Sequence, residues 1–458
     1  MGVTEQLASI ICAADFAALP RNAVERTLQA IADGVAVAIA GCDQAPVKLM
    51  AKHVRNLGGK RVSSVWGLGF RSSPVQAAYV NGMAVHVLDF EPMWSPPTHS
   101  VSPTVPVAFA LAEARGGHGR DIIAAVAKGM EIQSRLLLAA DQYEPERLRF
   151  HPPGVAGVIG ATVTAAHMLG LDPLQLRHAL GIAASRCGTI LANVGTMTKA
   201  AHCGGAAAAG LEAALLANLG FSANPDVIEA AKGLAATYFT DVFDIAKLLE
   251  YGKPWRIVEP GLAIKLYPSQ YATHFAIAAA LDLRGQIGRP ETLVDVHITA
   301  PVMQYIDRPR PATGLDGKFS LQYTAAIALL DGQVTIDSFS DERRFRPDVE
   351  SMLGRIALTQ DASIPGEWRR MHVTIDARCA EGRRSSATSH GPKGCWGQPQ
   401  VTPTDHRRKL LDCFGRRFSR AHSERLIDAL EDLEHTEPAK LTELIATLCK
   451  PRIADGPS

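Results

Sequence analysis

The first 250 residues are dominated by alanine, glycine, leucine and valine in helical spacing, and this pattern limits the fold more than any other feature. After Pro20, for example, the apolar residues Val24, Leu28 and Ile31 fall on one helical face. Several segments are so rich in alanine and glycine that their helices must pack closely, because the distance between helices depends on the side chains at the contact. We therefore predict a large helical half in which most helices are buried or lie at a subunit contact.

The sequence pattern changes between Trp255 and about Arg383. There, apolar and polar residues alternate as in strands in LVDVHITAP and RMHVTIDA, whereas FSLQYTAAIALLDG has helical spacing. This stretch predicts an α+β unit, followed by an exposed loop at 380–403. The last helices should return to the helical half, because they are too short a stretch to form a core alone. The main predicted helices are 103–115, 120–140, 154–170, 173–186, 204–220, 403–418, 422–434 and 438–449.

Charge and motifs exclude several classes of function. The 47 basic and 46 acidic residues give a net charge of +1, so no global field favours nucleic acid or a membrane surface. The N-terminus lacks the basic segment followed by an apolar core that marks a secretory signal, so we expect a cytoplasmic location. The eight cysteines show no CxxC or metal-ligand spacing and are expected to be reduced. Neither a GxxxxGK[ST] phosphate loop nor a GxSxG elbow is present.

The stretch NGMAVHVLDFEPMWSPPTHSVSP, from Asn81 to Pro103, combines ionisable groups with prolines. We predict that His86 and Asp89 lie one turn apart on one face of a buried helix. The prolines at 92, 96 and 97 then forbid further helix and bring His99 close to Asp89. A buried carboxylate beside an imidazole is a candidate acid/base pair, although an ordinary hydrogen bond that fixes the loop fits the same spacing.

Two further stretches carry candidate anion-binding groups. His151 stands before Pro152 and Pro153 at the start of a glycine-rich helix, where an anion is favoured; a histidine packed in a turn is the alternative. Lys199 and His202 lie in GTMTKAAHCGG, and no other lysine, arginine or acid occurs between Arg186 and Glu212. A lysine in such apolar surroundings is costly unless an anion pairs with it.

Seven blocks of sequence, taken together and in order, resemble the MmgE/PrpD family, which includes 2-methylcitrate dehydratase, cis-aconitate decarboxylase and iminodisuccinate epimerase. The blocks are VWG, NGMAVHVLDFEPMWSPPTH, RFHPP, GTMTKAAHCG, KLYPSQYATH, FSLQYTAAIALLDG and GPKGCWGQP. Within the family, the tryptophan of EPMW and the RFHPP block look most like the cis-aconitate decarboxylase branch.

The resemblance implies a mainly α fold with a smaller α+β part. Residues 1–258 and 390–458 would form an all-helical domain, 259–389 an inserted α+β lid domain, and two chains a homodimer. The implied catalytic residues are Asp89, His99, His151, Lys199 and Tyr323. The implied substrate-binding residues are Met93, His202, Lys265 and Gln270. We expect no cofactor and no metal, because the candidate histidines lie among basic groups with Asp89 as the nearby acid.

The implied activity is that of a lyase on a small di- or tricarboxylate, by dehydration, hydration or decarboxylation with proton transfer next to a carboxylate. One alternative is an epimerase or racemase that reprotonates the same carbanion on the opposite face. Another is a catalytically silent homologue that binds a carboxylate. Met93 and Gln270 replace a threonine and a histidine of the decarboxylase pattern, so we expect cis-aconitate to be a poor substrate.

Overall fold

The computed structural model describes residues 1–144, 148–240 and 242–447, and its first part is helical apart from one small hairpin. Its helices are α1 (Val3–Ala13), α2 (Arg21–Gly41), α3 (Ala45–Leu57), α4 (Pro74–His86), α5 (Val101–Arg115), α6 (Gly119–Ala139), α7 (Ala156–Leu169), α8 (Pro173–Ala184), α9 (Met197–Asn218), α10 (Leu234–Tyr238) and α11 (Ile245–Leu249). Strands β1 (Ser63–Val65) and β2 (Phe70–Ser72) form the antiparallel hairpin. The prediction of a mainly α fold is confirmed.

Close helix packing is clearest where α9 crosses α4. A Cβ atom on Gly82 would lie 3.0 Å from the Cα of Gly204, and one on Gly204 would overlap the carbonyl oxygen of Tyr79. Helix α9 begins seven residues before the predicted start at 204, because the Thr196 hydroxyl accepts a hydrogen bond from the Thr198 N–H and caps it. Among the described residues α9 is long and apolar enough to cross a membrane, and 67% of its most apolar stretch is buried inside the fold.

The second part of the chain is the α+β unit. Its helices are α12 (Thr273–Ile287), α13 (Gly314–Gly317), α14 (Leu321–Asp331), α15 (Asp341–Arg344) and α16 (Pro347–Leu353), and its strands are β3 (Leu293–Pro301), β4 (Ile356–Asp361), β5 (Val373–Cys379) and β6 (Arg384–Ser389). The sheet order is β4-β3-β5-β6, with β4 parallel to β3 and the other pairs antiparallel. Helix α12 packs on β5 and β6.

The prediction of an exposed loop at 380–403 is wrong. Its polar residues include strand β6, whose inward-facing Ala387 and Ser389 are buried, and the segment after it buries Cys395 completely. Helices α17 (Pro403–Gly415), α18 (Arg420–Glu431) and α19 (Pro438–Thr447) return to pack on α2 and α5. The predicted end of the last helix at 449 and the domain end at 458 lie outside the described residues.

Two hydrophobic clusters divide the described chain. The first contains the helical core up to Ile257 and resumes at Leu410. The second runs from Ala263 to Cys395 and includes Met93 from the helical half. Backbone hydrogen bonds of 2.9 Å in both directions join Met93 to Ala263, so the loop after α4 is fastened to the α+β unit. The domain limits at 258/259 and 389/390 remain a prediction, and the clusters change over near them.

Candidate active site

A cavity of about 270 Å³ lies where the two hydrophobic clusters meet, and we call it the junction cavity. Both halves of the chain contribute to its walls, as expected of a site between domains. It is lined by Asp89, Met93, Pro97, Thr98, His99, Leu148, His151, Pro152, Leu191, Val194, Lys199, Gln270, Tyr271, Gln304, Tyr305, Phe319 and Trp368. Six of the nine site residues predicted from the sequence are therefore brought together on one surface.

Asp89 is the carboxylate of the junction cavity. Helix α4 ends at His86, and Asp89 has a left-handed φ of +51°, so the prediction that both lie on one helical face is wrong. The turn directs the Asp89 carboxylate to Lys199, whose Nζ is 2.5 Å from Oδ2, and to Lys265, whose Nζ contacts Oδ1. Burial alone would raise the pKa of Asp89, but the two ammonium groups outweigh it and hold the pKa well below its usual range.

Three histidines extend this cluster away from Asp89. His99 Nε2 is 4.0 Å from Asp89 Oδ1, and the His99 and His151 ring centroids are 5.9 Å apart. His202 lies behind His151 and outside the cavity lining, with 3.2 Å between their Nδ1 atoms. Burial and the nearby Lys199 charge lower the pKa of all three, to about 4 for His202. The imidazoles are therefore neutral at pH 7 and ready to accept protons when an anion binds.

Glu91 is a site residue that the sequence prediction missed. It is fully buried, and its Oε1 lies 2.8 Å from His86 Nδ1 and 3.3 Å from His99 Nδ1. Its Oε2 accepts a hydrogen bond of 2.8 Å from the Ser102 N–H. Burial raises the pKa of Glu91 to about 8. Its position two residues after Asp89, in an otherwise apolar stretch, is the sequence signal that was available.

Among the residues that the structure describes, the cluster holds three lysines and two carboxylates. Lys265 is fully buried behind Asp89, where its Nζ also donates to the Asp89 and Ser269 carbonyl oxygens at 2.8 and 2.9 Å. Lys318, also missed from the sequence, donates to the Leu88 carbonyl at 3.0 Å. Burial lowers the pKa of Lys265 to about 8 and that of Lys318 to about 7. Lys199 is the lysine that lines the cavity, and its ammonium lies 5.0 Å from the centre of the Phe319 ring.

Met93 and Gln270 also line the junction cavity. Met93 is 4% exposed and packs in the second hydrophobic cluster. The Gln270 carboxamide is held at both ends, because its oxygen accepts from the Ala272 N–H at 2.7 Å and its nitrogen lies 3.4 Å from the Tyr305 hydroxyl. At these two positions the cavity lining therefore presents a thioether and a fixed neutral amide rather than a charge.

Tyr323 is the predicted catalytic residue that the structure places elsewhere. It lies on α14 in the second hydrophobic cluster, is fully buried, and donates its hydroxyl hydrogen to the Ser338 carbonyl. The hydroxyl therefore points away from the junction cavity, and the assignment from the resemblance is corrected. Tyr305 lines the cavity instead. It lies in VMQYIDRP just after strand β3 and is a lining residue that the sequence prediction missed.

Histidine nitrogens in this cluster are close enough to suggest a metal. His86, His99 and His151 each place a ring nitrogen within 4.8 Å of the others, and His86, Glu91 and Cys203 form a second such group. Burial and then the Lys199 charge lower the pKa of all three histidines, and repulsion by the same charge opposes a divalent cation. The absence of a catalytic metal remains a prediction.

Comparison with known proteins gives matches along most of the chain. The MmgE/PrpD N-terminal domain model matches residues 5–245, and the MmgE/PrpD C-terminal domain model matches 267–435. A cis-aconitate decarboxylase of Mus musculus is 31% identical over 457 residues, covering 97% of this chain and 93% of the relative. The Homo sapiens cis-aconitate decarboxylase is 30% identical, covering 99% and 96%. A 2-methylcitrate dehydratase of Cupriavidus necator is 24% identical, covering 66% of each chain.

Proposed function

The chain belongs to the MmgE/PrpD family, and we propose that it is a cofactor-independent lyase that acts on a small di- or tricarboxylate. The relatives named as cis-aconitate decarboxylases and 2-methylcitrate dehydratases are both lyases, which supports this class of enzyme. The reaction is a dehydration, a hydration or a decarboxylation, with proton transfer at the carbon next to a carboxylate.

One observation carries the proposal: the junction cavity combines a cationic wall with neutral imidazoles. Asp89 is the carboxylate that contacts both Lys199 and Lys265, so the cluster has positive charge in excess. An anionic substrate supplies the missing negative charge. Because the cluster is buried, this pairing is stronger than the same pairing in water.

Substrate carboxylates bind beside Lys199 and the exposed edges of His99 and His151. Lys199 then stabilises the enediolate-like charge that develops when a proton leaves the adjacent carbon. The neutral imidazoles accept and return that proton, and an anion bound beside them raises their pKa toward the working range. We assign proton transfer to the His99/His151 pair as a unit, and we leave the acid and base roles within it undivided.

Glu91 and His202 support these two imidazoles from behind. Glu91 faces the Nδ1 of His99 and leaves its Nε2 on the cavity side, and His202 faces the Nδ1 of His151. A fixed partner at one ring nitrogen sets the tautomer and the orientation at the other. Glu91 and His202 are thus positioning residues, whereas His99 and His151 are the groups that meet the substrate.

The substrate preference follows from Met93 and Gln270. Met93 offers no hydrogen-bond donor and Gln270 is a fixed neutral amide, so neither of these two described side chains gives a third carboxylate a cationic partner. A substrate with fewer carboxylates than cis-aconitate, or with an apolar substituent facing Met93, fits this part of the lining better.

We also propose that the protein is a cytoplasmic homodimer. Light scattering that gives a stable monomer at micromolar concentration would contradict the dimer.

The experiment is a screen of small polycarboxylates by proton NMR in deuterated water. We expect exchange of the hydrogen next to a carboxylate, together with loss of water or carbon dioxide, or uptake of water. A product of unchanged mass would identify an epimerase instead. A carboxylate that binds without exchange or turnover would identify a silent homologue. Stoichiometric metal in the pure protein, with activity lost to chelators, would contradict a metal-independent reaction.

A further inference from the structure

The helical half contains a second cavity, of about 220 Å³, that shares no lining residue with the junction cavity. Helices α1, α6, α7 and α8 and the turn after α7 enclose it. It is lined by Ile11, Cys12, Lys128, Val163, Ala166, His167, Gly170, Leu171 and Leu176. We call it the Lys128 cavity. Its residues take no part in the proposed reaction.

Lys128 is a buried lysine without a contacting anion among the described residues. Lys128 is only 3% exposed, and its Nζ lies 3.1 Å from His167 Nδ1. Within the part of the chain that the structure describes, no carboxylate lies within ion-pair distance of this ammonium. Burial lowers the pKa of Lys128 to about 8, and the same burial lowers the pKa of His167 to about 4.

Other buried lysines of this protein have partners that Lys128 lacks. Lys318 contacts no carboxylate among the described residues but donates to the Leu88 carbonyl. Lys199 and Lys265 contact the Asp89 carboxylate, and Lys409 contacts both oxygens of Asp33. Lys128 has instead a neutral imidazole and an opening to a cavity. An unpaired buried charge is costly, and an anion that enters the cavity from outside would remove that cost.

We propose that the Lys128 cavity binds a small monocarboxylate with a short apolar tail. The carboxylate lies against Lys128 Nζ, and the tail lies among Ile11, Val163, Leu171 and Leu176. One ammonium matches one carboxylate, because the lining offers no second lysine or arginine. The volume holds about seven groups of water size at roughly 30 Å³ each, which suits a linear acid of about four to six carbons. The site is therefore distinct in chemistry from the junction cavity, which suits a polycarboxylate.

The test measures hexanoate binding to the full-length protein by isothermal titration calorimetry. Wild type is compared with Lys128→Met and with Lys52→Met, a control that removes an exposed lysine from α3. We expect saturable binding to wild type and to Lys52→Met, and at least a tenfold loss of affinity in Lys128→Met. Lys199→Met should bind hexanoate like wild type, which separates this site from the junction cavity.

Three further ligands and one further variant sharpen the result. Hexanol, which lacks the charge, and inorganic phosphate, which lacks the tail, should bind at least tenfold more weakly than hexanoate. Ala166→Leu, which fills part of the cavity while keeping Lys128, should weaken hexanoate more than acetate, and it covers the case in which Lys128→Met fails to fold. Equal affinity in wild type and Lys128→Met, loss of binding in Lys199→Met alone, or no saturable binding at all would overturn the proposal.

Discussion

Two buried carboxylates in the helical half have similar partners but different roles. Asp33 on α2 contacts Lys409 through both oxygens, at 2.9 and 2.8 Å, and His406 at 3.1 Å. Asp89 contacts Lys199 and Lys265 and faces His99. Both carboxylates are at most 3% exposed. An aspartate with lysine and histidine partners therefore does not by itself mark a site of chemistry.

The difference lies in charge balance and in access. The Asp33 cluster joins α2 to α17, and Lys409 also donates to the carbonyl of Phe90, the residue after Asp89. It thus holds the site in place without lining the junction cavity. The Asp89 cluster has an excess of lysine and opens onto that cavity. A surplus charge beside a cavity is what an anionic substrate requires.

The largest expected effect comes from Lys199→Met. Removing the cation at the cavity wall should lower turnover by about 100- to 1,000-fold, since charge developing in the transition state loses its partner. The free energy of unfolding should stay nearly unchanged, because Asp89 keeps Lys265. Steady-state assays and urea unfolding measure the two quantities. A variant that keeps more than a tenth of wild-type turnover would show that Lys199 is not a catalytic residue.

Lys409→Met is the matched change in the Asp33 cluster. It leaves a buried carboxylate without its ammonium, so the free energy of unfolding should fall by about 3–5 kcal/mol. Turnover per folded molecule should differ from that of wild type by less than tenfold. Urea unfolding followed by circular dichroism gives the first quantity, and assays normalised to the folded fraction give the second. If Lys409→Met kept its stability and lost turnover like Lys199→Met, the contrast between the clusters would be false.

Glu91→Gln should have a smaller effect on turnover, about 10-fold, because glutamine keeps the shape and cannot share a proton with His99. It should also change how stability depends on pH. Burial raises the pKa of Glu91 to about 8, so the folded protein keeps a proton that the unfolded chain releases near pH 4.3. Wild-type stability, relative to the variant, must then fall as pH rises from about 5 to 8.

Urea unfolding of wild type and Glu91→Gln at several pH values measures that relative stability. The comparison with the variant matters because the buried histidines also titrate, and both proteins share them. A difference in unfolding free energy that is constant between pH 5 and 8 would mean that Glu91 is ionised in the folded protein.

Asp89, His99, His151 and Lys199 can be predicted from the sequence because each is a polar group in an apolar stretch next to a helix break. Glu91 and Lys318 cannot, because their importance depends on burial and on contacts across the fold. Strand β6 resembles a loop in the sequence, since its residues Arg-Ser-Ser-Ala-Thr-Ser are polar and become a strand by pairing with β5.

Two tyrosines show that a family resemblance does not determine the role of every single residue. Tyr323 was assigned a catalytic role, yet its position on α14 turns the hydroxyl toward Ser338. Tyr305 reaches the junction cavity because the chain turns after β3 and lies beside Gln270. No spacing in the sequence distinguishes these two outcomes, since the direction of each side chain is fixed by tertiary packing.

The smallest expected effect concerns Met93 and Gln270 in the cavity lining. Met93→Thr with Gln270→His introduces a hydroxyl donor and a titratable ring, so turnover of cis-aconitate should rise about five- to tenfold, at the low end of the roughly 1–3 kcal/mol for an unpaired buried oxygen. Assays of wild type and the double variant on cis-aconitate measure the change. Efficient decarboxylation of cis-aconitate by wild type would contradict the substrate preference inferred from Met93 and Gln270.

The central claim is that proton transfer occurs at the Asp89 cluster and needs its surplus cation. The most direct measurement is hydrogen–deuterium exchange next to the substrate carboxylate, followed by proton NMR, for wild type, Lys199→Met and folded Lys409→Met. The account predicts exchange in wild type and in Lys409→Met, and a loss of at least 100-fold in Lys199→Met. Exchange in Lys199→Met at the wild-type rate would contradict it.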